Sequence, residues 1–61
     1  MKYVTFELPT GDFVSVNPNH VVYLLEYVEN ETLIKFSDGK HEVVKLPLLT
    51  VKEELESGLA H

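Results

Sequence analysis

The chain has 61 residues, with ten acidic residues against five basic ones, a net charge of −5 and no cysteine. This length predicts one small domain, residues 1–61, of modest stability, because small domains bury only about 60% of the surface of their unfolded chain. The lack of cysteine excludes a disulfide framework and favours a reducing compartment. All five basic residues are lysines. Phosphate contacts usually come from clustered Lys and Arg, so the composition disfavours direct nucleic-acid binding and favours a protein partner with a basic surface.

The first part of the chain predicts a β-hairpin. Apolar residues alternate with other side chains over Lys2–Leu8, which is typical of a half-buried strand. Pro9–Asp12 supplies turn chemistry, and Phe13–Val16 is the predicted return strand. Asn17-Pro18 then predicts a corner, because proline cannot donate a backbone hydrogen bond and restricts the residue before it.

The next strand, Val21–Val28, is apolar on both faces. Successive side chains of a strand point to opposite faces, which gives two predicted sets. One set is Val21, Tyr23, Leu25 and Tyr27, and the other is Val22, Leu24, Glu26 and Val28. Glu26 is expected either at the sheet rim in water or at an interface opposite a basic group. The first set is either folded into a closed barrel or left open for a partner.

A second hairpin and a helix complete the predicted fold. Thr32–Ser37 and His41–Leu46 alternate like strands, and Asp38-Gly39 between them is a strong hairpin signal because both residues can take positive φ. After Pro47 the apolar spacing becomes helical, and the predicted stripe is Leu48, Val51, Leu55 and Leu59. Thr50 and Glu53 predict a capping box, and Gly58 a C-terminal stop. We therefore expect an α+β domain: a five-stranded, strongly bent antiparallel sheet or small open barrel with a short C-terminal helix.

No motif in the chain carries recognisable chemistry. The three histidines, His20, His41 and His61, lack the spacing that would aim two imidazoles at one metal ion. The serines lack a nucleophile elbow, and no glycine-rich loop is suited to phosphate. We predict no catalytic residue, no metal and no cofactor, and hence a protein that is not an enzyme. The sequence shows neither a signal peptide nor an apolar run of membrane-spanning length, so we expect a cytoplasmic protein without a membrane partner.

The string G-D-F-V-S-V-N-P-N-H-V-V-Y-L-L-E from Gly11, followed by L-I-K-F-S-D-G and V-V-K, resembles the small flagellar FlbD-type (SwrD-type) proteins. These short bacterial chains have a glycine, a strand ending in Asn-Pro, an aliphatic strand, an Asn/Asp-Gly hairpin and a closing helix. The Val16–Pro18 corner and the Ser37–Gly39 turn carry the resemblance, which spans Gly11 to Lys45 and the helix. It implies a non-enzymatic, protein-binding role.

The favoured hypothesis is a non-catalytic module that binds another protein through an aromatic and aliphatic sheet face with an acidic rim. Tyrosine suits such a surface because its large apolar ring ends in a polar group. The predicted partner-binding residues are Phe13, Tyr23, Leu25, Glu26 and Tyr27. A sharper version is an accessory regulator that docks on a large host machine such as the transcription apparatus. The alternative is a structural homo-oligomer subunit, with a homodimer as its simplest form, and the least favoured hypothesis is a nucleic-acid-binding β domain.

Overall fold

Five strands and one helix follow one another in the computed structural model, which describes residues 2–60. The elements are β1 (Val4–Glu7), β2 (Phe13–Val16), β3 (Val21–Val28), β4 (Glu31–Phe36), β5 (His41–Val44) and α1 (Leu48–Ala60), with a 3₁₀ turn at Pro18–His20. Each predicted strand is present, with its ends within two residues of the expected positions. The predicted α+β class is confirmed.

The strands form two antiparallel sheets, and the prediction of one five-stranded sheet is not met. One sheet pairs β1 with β2, and the other has the order β3-β4-β5. Between the two, the Lys45 N–H donates a 2.9 Å hydrogen bond to the Glu7 carbonyl, just beyond the end of β5 and at the end of β1. This bond brings the two sheets together at one end, but they do not close into a barrel.

The predicted turn at Pro9–Asp12 forms between β1 and β2. The Gly11 N–H donates to the Leu8 carbonyl at 2.9 Å, and the Leu8 N–H donates to the Asp12 carbonyl at 2.7 Å. Gly11 has a φ of +94°, which L side chains rarely adopt. The loop is thus a β-turn closed by a left-handed glycine, a common three-residue hairpin connection.

The turn between β4 and β5 repeats this construction. The Gly39 N–H donates to the Phe36 carbonyl at 3.0 Å, and the Phe36 N–H donates to the Lys40 carbonyl at 2.9 Å. Gly39 has a φ of +90°, whereas Asp38 does not take a positive φ. The hairpin was predicted correctly, and Gly39 is the residue of the Asp-Gly pair that takes the positive φ. Asp38 instead accepts a 2.9 Å hydrogen bond from the Lys40 N–H.

The corner before β3 forms as predicted. The Asn17 side chain accepts a 3.0 Å hydrogen bond from the Asn19 N–H, and the Asn17 carbonyl accepts one from the His20 N–H. Pro18 stands at the start of the 3₁₀ turn, where its missing N–H costs nothing, and its ring is buried. The corner redirects the chain from the first sheet into the second.

The core lies between the inner faces of both sheets and the helix. Its buried apolar members are Phe6, Val16, Ile34, Val44, Val51 and Leu55. The half-buried residues packed against it are Val4, Leu8, Val14, Val21, Leu24, Phe36 and Leu46. Thr32 is fully buried beside these residues, and its hydroxyl donates a 2.8 Å hydrogen bond to the Leu46 carbonyl. In β1, β2, β4 and β5 these residues stand at every second position, as expected of one buried face. In β3 the prediction was wrong at Val22, which was expected on the buried face with Leu24 and is 60% exposed.

The helix differs from its prediction at both ends. Its first hydrogen bond runs from the Val51 N–H to the Pro47 carbonyl at 3.0 Å, which makes Pro47 the N-cap and places Thr50 inside the first turn. The predicted Thr50 capping box was therefore wrong. Gly58 does not end the helix but is buried within it, in line with Val51 and Leu55. Leu59, predicted for the stripe, is exposed.

Candidate interaction surface

Two bulges in β3 decide which of its side chains face the core. Val21 pairs with Phe36 but Tyr23 pairs with Lys35, so Val22 has no partner in the register. A second shift, between Glu26 and Val28, leaves Tyr27 without one. Each inserted residue resets the alternation of side chains along the strand.

The first bulge corrects the predicted grouping of Val21 with Tyr23 and Leu25. Val21 and its partner Phe36 both pack against the core, whereas Tyr23 and Leu25 pair with Lys35 and Leu33 on the opposite side. The second bulge similarly separates Val28 from Leu24, because Val28 pairs with Glu31. Alternation along an uninterrupted strand was the basis of the predicted sets, and the bulges interrupt it twice.

The three-stranded sheet turns one face away from the core, and we call it the outer face. Directly opposed residues of antiparallel strands share a face, so the register defines two cross-strand rows. These rows are Tyr23–Lys35–His41 and Leu25–Leu33–Val43, with the pair Val28–Glu31 at the β3–β4 turn. The helix contributes Val51 and Leu55 to the core and so lies on the inner side.

The outer face leaves large apolar side chains in water. Tyr23, Leu25, Tyr27 and Val28 are each between 50% and 58% exposed. Leu33 and Val43 beside them are half-buried. Four such side chains on one short strand form a contiguous apolar patch, and contiguous patches of this kind mark interaction sites more often than isolated apolar residues do. The predicted face of Tyr23, Leu25 and Tyr27 is open rather than folded into a barrel.

Phe13 and Glu26 occupy different places from the tyrosines. Phe13 is exposed, but it lies on β2, where it pairs with Glu7 on the outer side of the two-stranded sheet. The structure therefore does not bring Phe13 onto the outer face with Tyr23. Glu26 pairs with Thr32 and is exposed at the end of the sheet, as expected for a residue at the rim.

Charge is distributed unevenly along β3. The β3–β4 turn carries Glu29, β4 begins at Glu31, and Glu26 precedes them on β3. At the other end of the strand, Tyr23 adjoins Lys35, and Lys35 pairs with His41. The Lys35 ammonium donates a 2.8 Å hydrogen bond to the Gly39 carbonyl, which holds the side chain at this end. The three-stranded sheet thus carries Glu26, Glu29 and Glu31 near the β3–β4 turn, and Lys35 and His41 towards the other end of β3.

β3 is also an edge strand. In the order β3-β4-β5 only one side of β3 has a strand beside it within residues 2–60. An unpaired edge presents a row of N–H and C=O groups to solvent and is a template for an additional strand. Sequence reasoning did not identify this edge, because the order of strands in a sheet is not encoded in the alternation of any one strand.

A second group of polar residues meets near the corner. His20 Nδ1 lies 3.4 Å from the Ser37 hydroxyl, beside an open cleft of about 380 Å³ that Asp38 also lines. Both residues of the pair are exposed, and the Asp38 carboxylate bonds to the Lys40 N–H of its own turn. Among residues 2–60 the imidazole has no hydrogen bond to the aspartate. An activated serine requires a third group that orients its base.

Among residues 2–60, no three or more His, Cys, Asp or Glu side chains are placed to hold a metal ion. His61, the third predicted histidine, lies outside the described residues. The described part of the chain also contains no helix with the length and apolar character needed to cross a bilayer. Comparison with protein-family models, with curated proteins and with solved structures finds no match to this chain. The resemblance to the flagellar FlbD-type proteins stays a prediction.

Proposed function

We propose that this protein is a non-catalytic binding module that acts on another protein through the outer face. The observation that carries the proposal is the exposure of Tyr23, Leu25 and Tyr27 on one edge strand. Burying large apolar and aromatic side chains is the main source of free energy in protein association. Tyr23 and Tyr27 add hydroxyl groups that can hydrogen-bond to a partner at the margin of the contact.

The carboxylates near the β3–β4 turn indicate the kind of surface that the partner presents. Glu26 and Glu29 are exposed, and Glu31 is half-buried beside Val28. A basic patch on the partner would complement these carboxylates. Complementary charge chiefly raises the association rate and suppresses wrong partners, and exposed charges are screened by salt. Binding should therefore weaken as the salt concentration rises.

In its sharper form, the module is an accessory or regulatory factor that docks on a large host machine such as the transcription apparatus. Its small size suits this role, because a 61-residue chain can occupy one surface of a large assembly without enclosing a substrate. Large assemblies that handle nucleic acid also expose basic surfaces, which a chain with a net charge of −5 complements.

The test is a pull-down from host lysate with the wild-type chain and two variants, Tyr23→Ser and Tyr27→Ser. Each variant removes an exposed ring from the outer face and should abolish or strongly reduce capture of the partner without changing the circular dichroism spectrum. The matched control is Tyr3→Ser, because Tyr3 is 63% exposed and lies outside the three-stranded sheet. Equal loss of capture in the control, or unfolding of both face variants, would refute the proposed surface.

The charge component is tested separately with the double variant Glu26→Gln and Glu29→Gln. Both changes keep the size of an exposed side chain and remove its charge. The variant should associate more slowly with the captured partner in surface plasmon resonance, and its binding should depend less on salt. Binding by the wild-type chain that is independent of salt would contradict the basic-partner assignment.

A further inference from the structure

We propose that two copies of this chain pair through their β3 edges, antiparallel and about a twofold axis perpendicular to the sheet. The product is a six-stranded sheet with the strand order β5-β4-β3-β3-β4-β5. This inference concerns the backbone edge of β3, beside the side chains of the outer face. Because the pairing and the proposed function share Tyr23, Leu25 and Tyr27, they are tested by separate readouts.

The first argument is the edge itself. β3 is the longest strand, with eight residues, and its free side has no neighbouring strand in the described structure. Edges are protected when they are short, when they carry lysine or proline, or when bulges twist them. The two bulges of β3 leave Tyr23–Glu26 as its regular segment. β3 carries neither lysine nor proline, and Glu26 is its only charged residue. Adding a strand would pair its free N–H and C=O groups and cover part of the apolar side chains beside them.

The second argument is charge, and it identifies the occupant as a second copy in antiparallel orientation. Glu29 follows β3 and Glu31 of β4 pairs with its last residue, whereas Lys35 of β4 pairs with Tyr23 near its other end. Antiparallel pairing about a twofold axis sets the acidic end of each copy against the basic end of the other. Parallel pairing would set like charges together, which is destabilising in cross-strand positions.

The twofold axis also restricts the register. An axis perpendicular to the sheet keeps the outer faces of both copies on the same side, so each residue must oppose one of the same face. Registers with Leu24 or Leu25 on the axis satisfy this condition. Placing Leu25 on the axis sets Leu25 against its own copy and brings Tyr23 of one copy beside Tyr27 of the other. We assign this register because aromatic cross-strand pairs are favourable.

The area that one edge strand can bury is small, so the pairing is expected to be weak. The described chain exposes 4123 Å². A standard interface of about 800 Å² per partner would take roughly a fifth of that surface, more than one edge strand provides. We therefore expect a weak dimer, visible only at high concentration and stable enough to detect at physiological salt, where repulsion between the two acidic chains is screened.

The first experiment is sedimentation equilibrium of the purified protein from about 10 µM to about 1 mM, the range expected for a small interface. The apparent mass should rise from that of the 7.0 kDa chain towards twice that value. Leu25→Lys places a charge in the middle of the edge and should keep the mass at the monomer value while the circular dichroism spectrum is unchanged. A wild-type chain that stays monomeric, or a dimer that Leu25→Lys does not disturb, would overturn the inference.

The second experiment reads the register directly, because the chain has no cysteine of its own. Directly opposed residues have Cβ atoms about 4.5–5.5 Å apart, close to the separation that a disulfide spans. Leu25→Cys should therefore form a disulfide dimer under mild oxidation at least about tenfold faster than Leu49→Cys, because pairing raises the local thiol concentration. Leu49 is 70% exposed and lies on α1. Equal rates for the two variants would refute the register.

Captured partners do not interfere with either readout, since both use the purified chain alone. A monomer that still loses its partner on Tyr23→Ser would refute the dimer and leave the proposed function standing. If the wild-type chain dimerises, and Tyr23→Ser and Tyr27→Ser capture the same proteins as the wild type, the dimer stands and the proposed function is refuted.

Discussion

Replacing Gly58 by alanine has two opposite effects on stability: alanine has the higher helix propensity, but its methyl group must fit into a tightly packed site of α1. Gly58 is buried where the helix meets the N-terminal segment and the corner. A Cβ built on it would lie 2.7 Å from a methyl group of Val4, 2.9 Å from the Lys2 carbonyl oxygen and 3.0 Å from the Pro18 ring. The Lys2 N–H also donates a 2.9 Å hydrogen bond to the Gly58 carbonyl. A side chain here must push away backbone that the same residue holds in place.

The two effects have opposite signs, and their sizes decide the outcome. Alanine is favoured over glycine inside a helix by about 1 kcal/mol. Forcing a methyl group into a packed site costs about 1–3 kcal/mol. Displacing the backbone of Lys2 also weakens its hydrogen bond to Gly58, worth about 1 kcal/mol. The net expectation for Gly58→Ala is a loss of about 1–3 kcal/mol in the free energy of unfolding, a large fraction of the total for a domain of this size.

Urea and thermal unfolding followed by circular dichroism measure this change. The midpoint temperature should fall by roughly 5 to 20 °C, since 1 kcal/mol corresponds to about 4–8 °C in a small domain. Ser57→Ala is the matched control, because Ser57 is the exposed neighbour of Gly58 on the same helix and should gain a few tenths of a kcal/mol. If Gly58→Ala is as stable as the wild type or more stable, the close approach does not constrain the fold and the packing argument is wrong.

Two further substitutions test the interior and a turn by the same unfolding measurements. Thr32→Val keeps the shape of a fully buried side chain but removes its hydrogen bond to the Leu46 carbonyl. We expect the free energy of unfolding to fall by about 1–2 kcal/mol. An unchanged free energy of unfolding would show that the bond contributes nothing to stability. Asn30 has a φ of +62°, which favours glycine over alanine at this position. Asn30→Ala should therefore lower the free energy of unfolding by about 1 kcal/mol, whereas Asn30→Gly should not lower it. Equal effects of the two substitutions would show that the turn relaxes to a negative φ.

Much of the fold could be predicted from alternation because most strands obey it without interruption. Phe6 and Val16 in the first sheet, and Ile34 and Val44 in the second, stand at alternating apolar positions of their predicted strands and are buried in the core. The corner at Asn17 was also predicted, since its side chain has a local backbone donor to bind. In each case a local pattern and the global packing require the same conformation.

The failures occur where long-range contacts decide the local structure. Gly58 resembles a helix stop in the sequence, yet the helix continues to Ala60. The glycine is required there because Val4, Lys2 and Pro18 approach its backbone too closely for a side chain. Thr50 followed by Glu53 reads as a capping box, yet the helix begins at Leu48 with the Pro47 carbonyl as its first acceptor. Neither the close approach nor the earlier start leaves a signal in the surrounding residues.

The candidate surface on β3 depends on two β-bulges that cannot be recognised in the sequence. An uninterrupted strand would have placed Val21 on the same face as Tyr23, and only the bulge at Val22 returns Val21 to the core. The same bulge and the one at Tyr27 limit the regular ladder with β4 to Tyr23–Glu26.

Bulges of this kind twist an edge and oppose indiscriminate pairing. They leave a short, regular, apolar segment between a basic end and an acidic end. A long, flat edge of this composition would aggregate. A short edge with charged residues at its ends favours a single orientation of the second strand, but it buries less surface and therefore binds more weakly. The weak, concentration-dependent dimer expected here is the consequence of that geometry.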